Sequence, residues 1–279
     1  MKPESVFEEL LFTTVRVEAR LSDGSHSVGT SFIFSYVKDE KNYLFLVTNR
    51  HVVRNTVEGT LLFTAEKNGQ PALGNVAAIT LSEFEGRWVG HPRDDVDVAV
   101  MPLVPVLNDL SNQGVRVFIK AIQQDLIPSD EQLMTQIDAV EDVVFIGYPN
   151  DIFDRKNLLP VVRRGITATP VAVDFEGKPA FLIDASIFPG SSGSPVLICN
   201  IGSYSPKGKG LHVGSRILFM GIVASVFVRR DINTLEIIDI PTQKLPVVQT
   251  SQMVDLGLVY KATVIREAVE EFLAARGLT

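Results

Sequence analysis

The sequence predicts an all-β protein built from two six-stranded antiparallel Greek-key barrels and a C-terminal helix. Short runs rich in Val, Ile, Phe and Thr are separated by Gly, Asn, Asp and Pro, which is typical of strands joined by turns. No helical pattern separates successive runs, so an alternation of strands and helices is not expected. Only the last apolar residues recur at helical spacing.

Each half of the sequence contains six strand-like runs. In the first half they are residues 13–20, 30–37, 43–48, 60–65, 76–81 and 97–103. In the second half they are residues 142–148, 161–170, 180–186, 194–198, 219–229 and 256–262. The equal numbers predict two small barrels of the same kind.

The segments outside these runs define the expected domain organisation. Ser5 and Glu8 have capping-box spacing, which predicts a helical segment over residues 1–12. The first barrel is expected over 13–105, the second over 141–262, and the connection over 106–140, with a helix after Ser129. Residues 201–215 are typical of an exposed hairpin. The C-terminal helix is expected over 263–279, with an apolar face of Val264, Ile265, Ala268, Val269, Phe272 and Leu273.

Composition restricts the partners and the compartment. The net charge is -7, and no cluster of Lys and Arg is long enough to follow a phosphate backbone, so nucleic acid is not an expected partner. No run approaches 18 apolar residues, and acidic residues interrupt the first ten, so neither membrane association nor a secretory signal is expected. Cys199 is the single cysteine, which excludes an intrachain disulfide and favours a cytoplasmic location. No cofactor is expected.

The segment 188–196, Phe-Pro-Gly-Ser-Ser-Gly-Ser-Pro-Val, places small turn-forming residues between two apolar runs. A serine in such a turn is exposed, and it becomes a nucleophile when a base removes its proton. Ser192 is the candidate nucleophile, and the backbone N–H groups of Gly190 and Ser192 are candidate donors to an oxyanion. The same composition also occurs in linkers, but linkers are not usually enclosed by apolar runs.

A base and a carboxylate with matching contexts occur earlier in the sequence. His51 follows an apolar strand-like run, and it is the candidate general base. Asp97 opens another apolar run, where a carboxylate is costly to bury unless a donor such as an imidazole pairs with it. Asp94 and Asp95 are alternatives for this role, although their charged surroundings favour solvation.

Three segments together resemble the motifs of the chymotrypsin-like serine proteases, in that family's order of His, Asp and Ser. They are Thr-Asn-Arg-His at 48–51, Asp-Val-Ala-Val at 97–100 and Gly-Ser-Ser-Gly-Ser-Pro at 190–195. Residues 29–34 resemble the glycine-rich strand that precedes the His motif in this family. Residues 184–190 resemble the approach to the serine in bacterial members of the high-temperature-requirement type, which usually lack disulfides and are the closest in pattern. The short remainder after the second barrel leaves no room for their PDZ domain. Ser191 stands where many animal members have the Asp that receives a newly cut N-terminus.

The resemblance implies a chymotrypsin-like fold and a serine endopeptidase that hydrolyses polypeptides through a Ser192–His51–Asp97 triad and an acyl-enzyme. It also implies a substrate pocket with Ser186 at its base and Ala224, Ser225 and Val226 along its wall. Val226 would narrow the pocket, which predicts a preference for small aliphatic side chains before the cut bond. Two alternatives remain open: a non-catalytic peptide-binding scaffold, and a latent protease that needs an activating protein partner.

Overall fold

The computed structural model describes residues 2–231 and 250–278, with side chains described within 2–226 and 254–278. Strands account for far more of these residues than helices do. The predicted all-β class, with barrel-type sheets and a C-terminal helix, is confirmed.

The first half of the chain forms one sheet of eight strands, in the order β5-β4-β1-β2-β3-β7-β6, with β8 paired in parallel to β2. All six strands predicted in this half are present. The sheet has eight strands instead of six because β6 and β8 are added, and a two-residue strand is too short to show an alternating pattern. The strands are β1 (Thr14–Leu21), β2 (His26–Lys38), β3 (Lys41–Thr48), β4 (Thr56–Lys67), β5 (Gln70–Ser82), β6 (Val89–Gly90), β7 (Ala99–Pro102) and β8 (Ile122–Gln123).

The second half forms a closed six-stranded barrel in the order β10-β11-β16-β15-β12-β9, as predicted. The predicted hairpin within residues 201–215 is present as the pair β13–β14. The strands are β9 (Asp142–Gly147), β10 (Val161–Thr167), β11 (Ala180–Asp184), β12 (Pro195–Asn200), β13 (Ser203–Tyr204), β14 (His212–Val213), β15 (Arg216–Asp231) and β16 (Thr250–Lys261).

Among the described residues, five α-helices lie outside the strands: α1 (Val6–Leu10), α2 (Arg50–Val53), α3 (Val104–Asn112), α4 (Asp130–Thr135) and α5 (Ala262–Ala274). The expected capping box is present at α1, where Ser5 and Glu8 satisfy each other's backbone donors, and α4 begins after Ser129 with the same device. Neither α2 nor α3 was predicted from the sequence. The helix α2 has only four residues, and α3 begins after Leu103, which has no side chain able to cap it.

One hydrophobic cluster contains residues of both sheets and of α5. Phe32 on β2 packs edge-on against Phe219 on β15, with ring centroids 5.4 Å apart. Phe45 on β3 packs in the same way against Phe272 on α5, at 5.1 Å. The six residues predicted for the apolar face of α5 are all buried. The two sheets and α5 therefore share a core, and this holds the facing ends of β2, β3 and β12 together.

None of the helices within residues 2–231 and 250–278 combines the length and the apolar character needed to cross a bilayer.

Candidate active site

His51 and Asp97 make a two-point contact beside the end of β3. His51 lies on α2, directly after β3, and Asp97 lies just before β7, which pairs with β3. One Asp97 carboxylate oxygen accepts the backbone N–H of His51 at 3.0 Å, and the other lies 2.5 Å from the imidazole Nδ1. A hydrogen bond from Nδ1 to this carboxylate selects the tautomer of the neutral imidazole in which Nε2 keeps its lone pair. His51 is therefore oriented to act as a base.

The backbone around Asp97 is fixed by its neighbours. Val96 and Val98 are fully buried on either side of it. The Asp97 carbonyl also accepts a hydrogen bond from the buried Asn49 side chain, at 2.8 Å. Asn49 was not predicted as a site residue from the sequence, although a polar amide between an apolar strand and a histidine was a signal. Asn49 ties the segment that carries His51 to the segment that carries Asp97.

The two alternative carboxylates make other contacts. Asp94 is exposed and faces Arg50 at 3.4 Å. Asp95 pairs with Arg93 at 2.9 Å, and this hydrogen bond lowers the pKa of Asp95. Asp97 is thus the carboxylate that meets the His51 imidazole.

Ser192 lies in a tight turn directly before β12, and both sheets hold this turn. Its carbonyl oxygen accepts the Thr30 N–H, from β2, at 3.0 Å. The next residue, Gly193, donates its N–H to the Val223 carbonyl, from β15, also at 3.0 Å. Gly193 has a φ of +90°, and a Cβ atom there would collide with the Thr30 carbonyl oxygen. Only glycine fits this position.

The Ser192 hydroxyl is directed to the Ala224 carbonyl, at 3.4 Å. Within the described part of the chain, no hydrogen bond joins this hydroxyl to the His51 imidazole. The turn nevertheless lies against the end of β3, because a Cβ on Gly193 would be 2.7 Å from Thr48 Oγ1, three residues before His51. The structure thus brings His51 and Asp97 into contact and places the Ser192 turn beside their strand, with the hydroxyl bonded elsewhere.

Thr30 connects β2 to two segments of the second barrel. Its side-chain oxygen donates to the Gly190 carbonyl at 3.0 Å and accepts the Tyr148 N–H at 3.1 Å. Its carbonyl accepts the Thr48 hydroxyl at 2.7 Å. Thr30 is fully buried. From the sequence, Thr30 was predicted only as part of a strand, because its partners are too distant in sequence to be inferred from local pattern.

The two candidate oxyanion donors are free. Neither the Gly190 N–H nor the Ser192 N–H has a hydrogen-bond partner among residues 2–231 and 250–278. The Pro189 carbonyl accepts the Asn150 N–H at 2.6 Å. Because C=O and N–H point in opposite directions in a trans peptide, the Gly190 N–H points away from Asn150. Both N–H groups are available to a developing negative charge.

Ser191 and Ser194 flank the turn with buried hydroxyl groups. The Ser194 hydroxyl occupies the space above Gly147, where a Cβ atom would collide with it. Glycine at position 147 therefore leaves the space that the Ser194 side chain needs.

In the sequence, one of the four predicted pocket residues precedes the turn of Ser192 and the other three follow it. Ser186 is half-buried between β11 and Gly190, and within the described residues its side chain makes no hydrogen bond to the other three. On β15, Ala224 is buried, Ser225 is exposed, and Val226 packs against a cluster of the second barrel that includes Ile187. The end of the Ile187 side chain fills the space that a Cβ on Gly257 would need. The apolar side chains of Ile187 and Val226 therefore lie beside the predicted pocket wall.

Within the described ranges, no group of three or more His, Cys, Asp or Glu side chains is arranged to hold a metal ion.

A family model for the trypsin-like peptidase domain matches residues 29–200, which is more than half of the chain and includes His51, Asp97 and Ser192. The chain belongs to this family. No curated protein sequence matches this chain.

This chain is also similar to solved structures of proteases. HL collagenase is 16% identical, with 78% of this chain and 82% of that chain covered and a TM-score of 0.44. AL20, a thermostable serine protease from an extremophilic microorganism, is 13% identical, with 92% and 95% covered and a TM-score of 0.45. A catalytically inactive tobacco etch virus protease complexed with substrate is 13% identical, with 80% and 76% covered and a TM-score of 0.42.

Proposed function

We propose that this peptidase is a serine endopeptidase that cleaves polypeptides through an acyl-enzyme on Ser192. The observation that carries the proposal is the two-point contact of Asp97 with His51, beside the glycine-lined turn of Ser192. A serine is activated when an imidazole held in one tautomer can reach its hydroxyl, and the site supplies both groups on neighbouring segments.

In the proposed mechanism, the Ser192 hydroxyl leaves the Ala224 carbonyl and donates to His51 Nε2. His51 accepts the proton as Ser192 attacks the peptide carbonyl, and Asp97 stabilises the imidazolium that forms. The N–H groups of Gly190 and Ser192 stabilise the oxyanion. His51 then protonates the leaving amine. A water molecule, deprotonated by His51, hydrolyses the acyl-enzyme and restores the Ser192 hydroxyl.

The proposal is tested by comparing the wild type with Ser192→Ala and Asp97→Asn. A fluorophosphonate probe should label the wild type and not Ser192→Ala, because the probe bonds to an activated serine oxygen. Asp97→Asn should reduce kcat by about 10⁴-fold, since the amide favours the wrong imidazole tautomer. Equal labelling of wild type and Ser192→Ala, or peptide hydrolysis that persists in Ser192→Ala, would contradict the assignment of the nucleophile.

One observation favours a second candidate, a latent protease that a partner protein activates. The Ser192 hydroxyl is bonded to Ala224 and not to His51. If the site rests in this state, purified protein should react slowly with the probe, and added cell extract should increase labelling of the wild type but not of Ser192→Ala. A non-catalytic peptide-binding scaffold would remain unlabelled in both conditions.

We further propose a preference for small aliphatic residues before the cut bond. Val226 and Ile187 pack in the same cluster of the second barrel, and Ile187 covers Gly257. Val226→Gly should therefore widen the pocket and raise kcat/KM for peptides with Leu or Phe before the cut bond, relative to Ala. Profiling both proteins on one peptide library measures this. A wild type that prefers Arg, Lys or Phe would contradict it.

A further inference from the structure

Arg16 is a buried cation that the proposed mechanism does not use. Its side chain is 3% exposed, and it lies on β1, on the face opposite to Val15 and Val17. It pairs with Glu18 at 2.8 Å and with Asp151, and its guanidinium lies 4.6 Å from the centre of the Phe153 ring. A buried charge is unfavourable unless it is paired, so Arg16 and Asp151 hold each other strongly in place.

Asp151 belongs to the short turn Pro149–Asp151, which has an unusual backbone conformation. Asn150 has a φ of +47° and Asp151 a φ of +60°, in the left-handed region where Asn and Asp are more common than other residues with a side chain. The hydrogen bond from Arg155 and the charge of Arg16 lower the pKa of Asp151, so its carboxylate is ionised at neutral pH. Two arginines, Arg16 and Arg155, therefore hold the end of this turn.

This turn contacts the peptide group that carries the oxyanion donor. The Asn150 N–H holds the Pro189 carbonyl at 2.6 Å, which sets the plane of the peptide that contains the Gly190 N–H. A Cβ on Gly190 would lie 2.5 Å from the Tyr148 carbonyl oxygen and 3.3 Å from the Asn150 nitrogen. A displacement of the turn would therefore change the direction of the Gly190 N–H.

We propose that Arg16, through its ion pair with Asp151, is a positioning residue that holds the Gly190 N–H in the direction needed to stabilise the oxyanion. This inference rests on the proposed function. Ser191, beside the nucleophile, carries no charge. The pair Arg16–Asp151 is a charged contact that reaches this region from the first sheet, through the hydrogen bond of Asn150 to Pro189.

The chain offers a matched control in Arg216. This arginine is also buried, at 5% exposed, pairs with Glu141 at 2.6 Å, and lies 4.7 Å from the Tyr204 ring centre. It lies on β15 where that strand pairs with the last residue of β12, Asn200, away from the turn of Ser192. Arg216→Met removes a buried ion pair of the same kind without contact to the oxyanion donor.

The kinetic test compares peptide hydrolysis by the wild type, Arg16→Met, Arg16→Lys and Arg216→Met at equal concentrations of folded protein. Removal of an oxyanion donor reduces kcat by about 10²–10³-fold, so its misplacement in Arg16→Met should reduce kcat at least about tenfold, with little change in KM. Arg16→Lys keeps the charge and should recover part of kcat, and Arg216→Met should retain the wild-type kcat. Equal kcat losses in Arg16→Met and Arg216→Met, or no loss in Arg16→Met, would overturn the inference.

A second readout does not depend on catalysis. Hydrogen–deuterium exchange of the peptides covering 148–155 and 188–194 should be faster in Arg16→Met than in the wild type, and unchanged in Arg216→Met. Unchanged exchange of 188–194 in Arg16→Met would reject the positioning role. If the wild type neither hydrolyses peptides nor reacts with the fluorophosphonate probe, the proposed function fails, while exchange of 188–194 still decides whether Arg16 orders this segment.

Discussion

The hydroxyl of Thr30 donates to the Gly190 carbonyl and accepts the Tyr148 N–H, and the contact with Tyr148 is buried. Thr30→Val keeps the shape of the side chain but leaves the Tyr148 N–H without a partner, which costs about 1–3 kcal/mol. We expect a lower Tm and a lower kcat at equal concentrations of folded protein. The matched control is Thr60→Val, which removes a surface hydroxyl bonded to Thr80. Wild-type kcat in Thr30→Val would show that the hydroxyl does not support the turn.

Cys199 allows a test of the chemical identity of the nucleophile. It is the single cysteine and lies on β12, the strand that follows Ser192. Burial raises the pKa of the Cys199 thiol to about 11, so the reactive thiolate is scarce at pH 7. N-ethylmaleimide at neutral pH should therefore leave peptide hydrolysis unchanged, and Cys199→Ser should remain active. Inactivation by the reagent that Cys199→Ser prevents would indicate that the thiol takes part in the reaction.

Single residues were predictable from the sequence where the chemistry lies within a local motif. Asp97 and His51 were chosen from their positions beside apolar runs, and the structure brings them into contact. Arg16 and Thr30 were not identified, because their importance depends on contacts with residues more than 100 positions away. In a strand, Arg16 alternates with Val15 and Val17, a pattern that indicates a solvent-facing side chain. The loop that covers it could not be inferred from that pattern.

At the scale of elements, α5 joins the first sheet through an apolar face that the sequence predicted. Phe272 is buried and packs edge-on against Phe45 at 5.1 Å. Phe272→Ala should destabilise the protein by about 3–5 kcal/mol, because it removes a large buried ring and leaves a cavity. Glu271→Ala, on the exposed face of the same helix, is the control and should have little effect. Thermal or urea unfolding measures both, and equal stability of the two variants would contradict the packing role of α5.

The strands were predictable because they are long enough to show apolar and β-branched residues in regular order between turn residues. The same argument explains the elements that were missed. The four residues of α2 contain one helical turn, too short for a helical period, and β6 and β8 have two residues each. The strands β6 and β8 are held by pairing with β7 and β2, and α2 is held by the contact of His51 with Asp97. Contacts of this kind leave no local pattern in the sequence.

At the scale of the whole molecule, the shared core predicts cooperative unfolding. Phe32 and Phe34 of the first sheet both contact Phe219 of the second barrel, with ring centroids 5.4 and 6.2 Å apart. Trp88 is the single tryptophan and lies in the core of the first sheet. Urea unfolding followed by tryptophan fluorescence and by far-UV circular dichroism should therefore give the same midpoint. Two separated midpoints would show that the sheets unfold independently.

The turn of Ser192 has a consequence for how the protein is made. The turn is held by hydrogen bonds to Thr30 and to Val223. Thr30 is synthesised well before Ser192, whereas Val223 is synthesised about 30 residues after it. With synthesis at about 5–20 residues per second, a nascent chain carries the serine for a few seconds before the strand that completes its turn is available. Under the proposed mechanism, an unfinished chain has no assembled site and cannot digest itself or its neighbours during translation. Proteolytic activity then begins only with the finished fold.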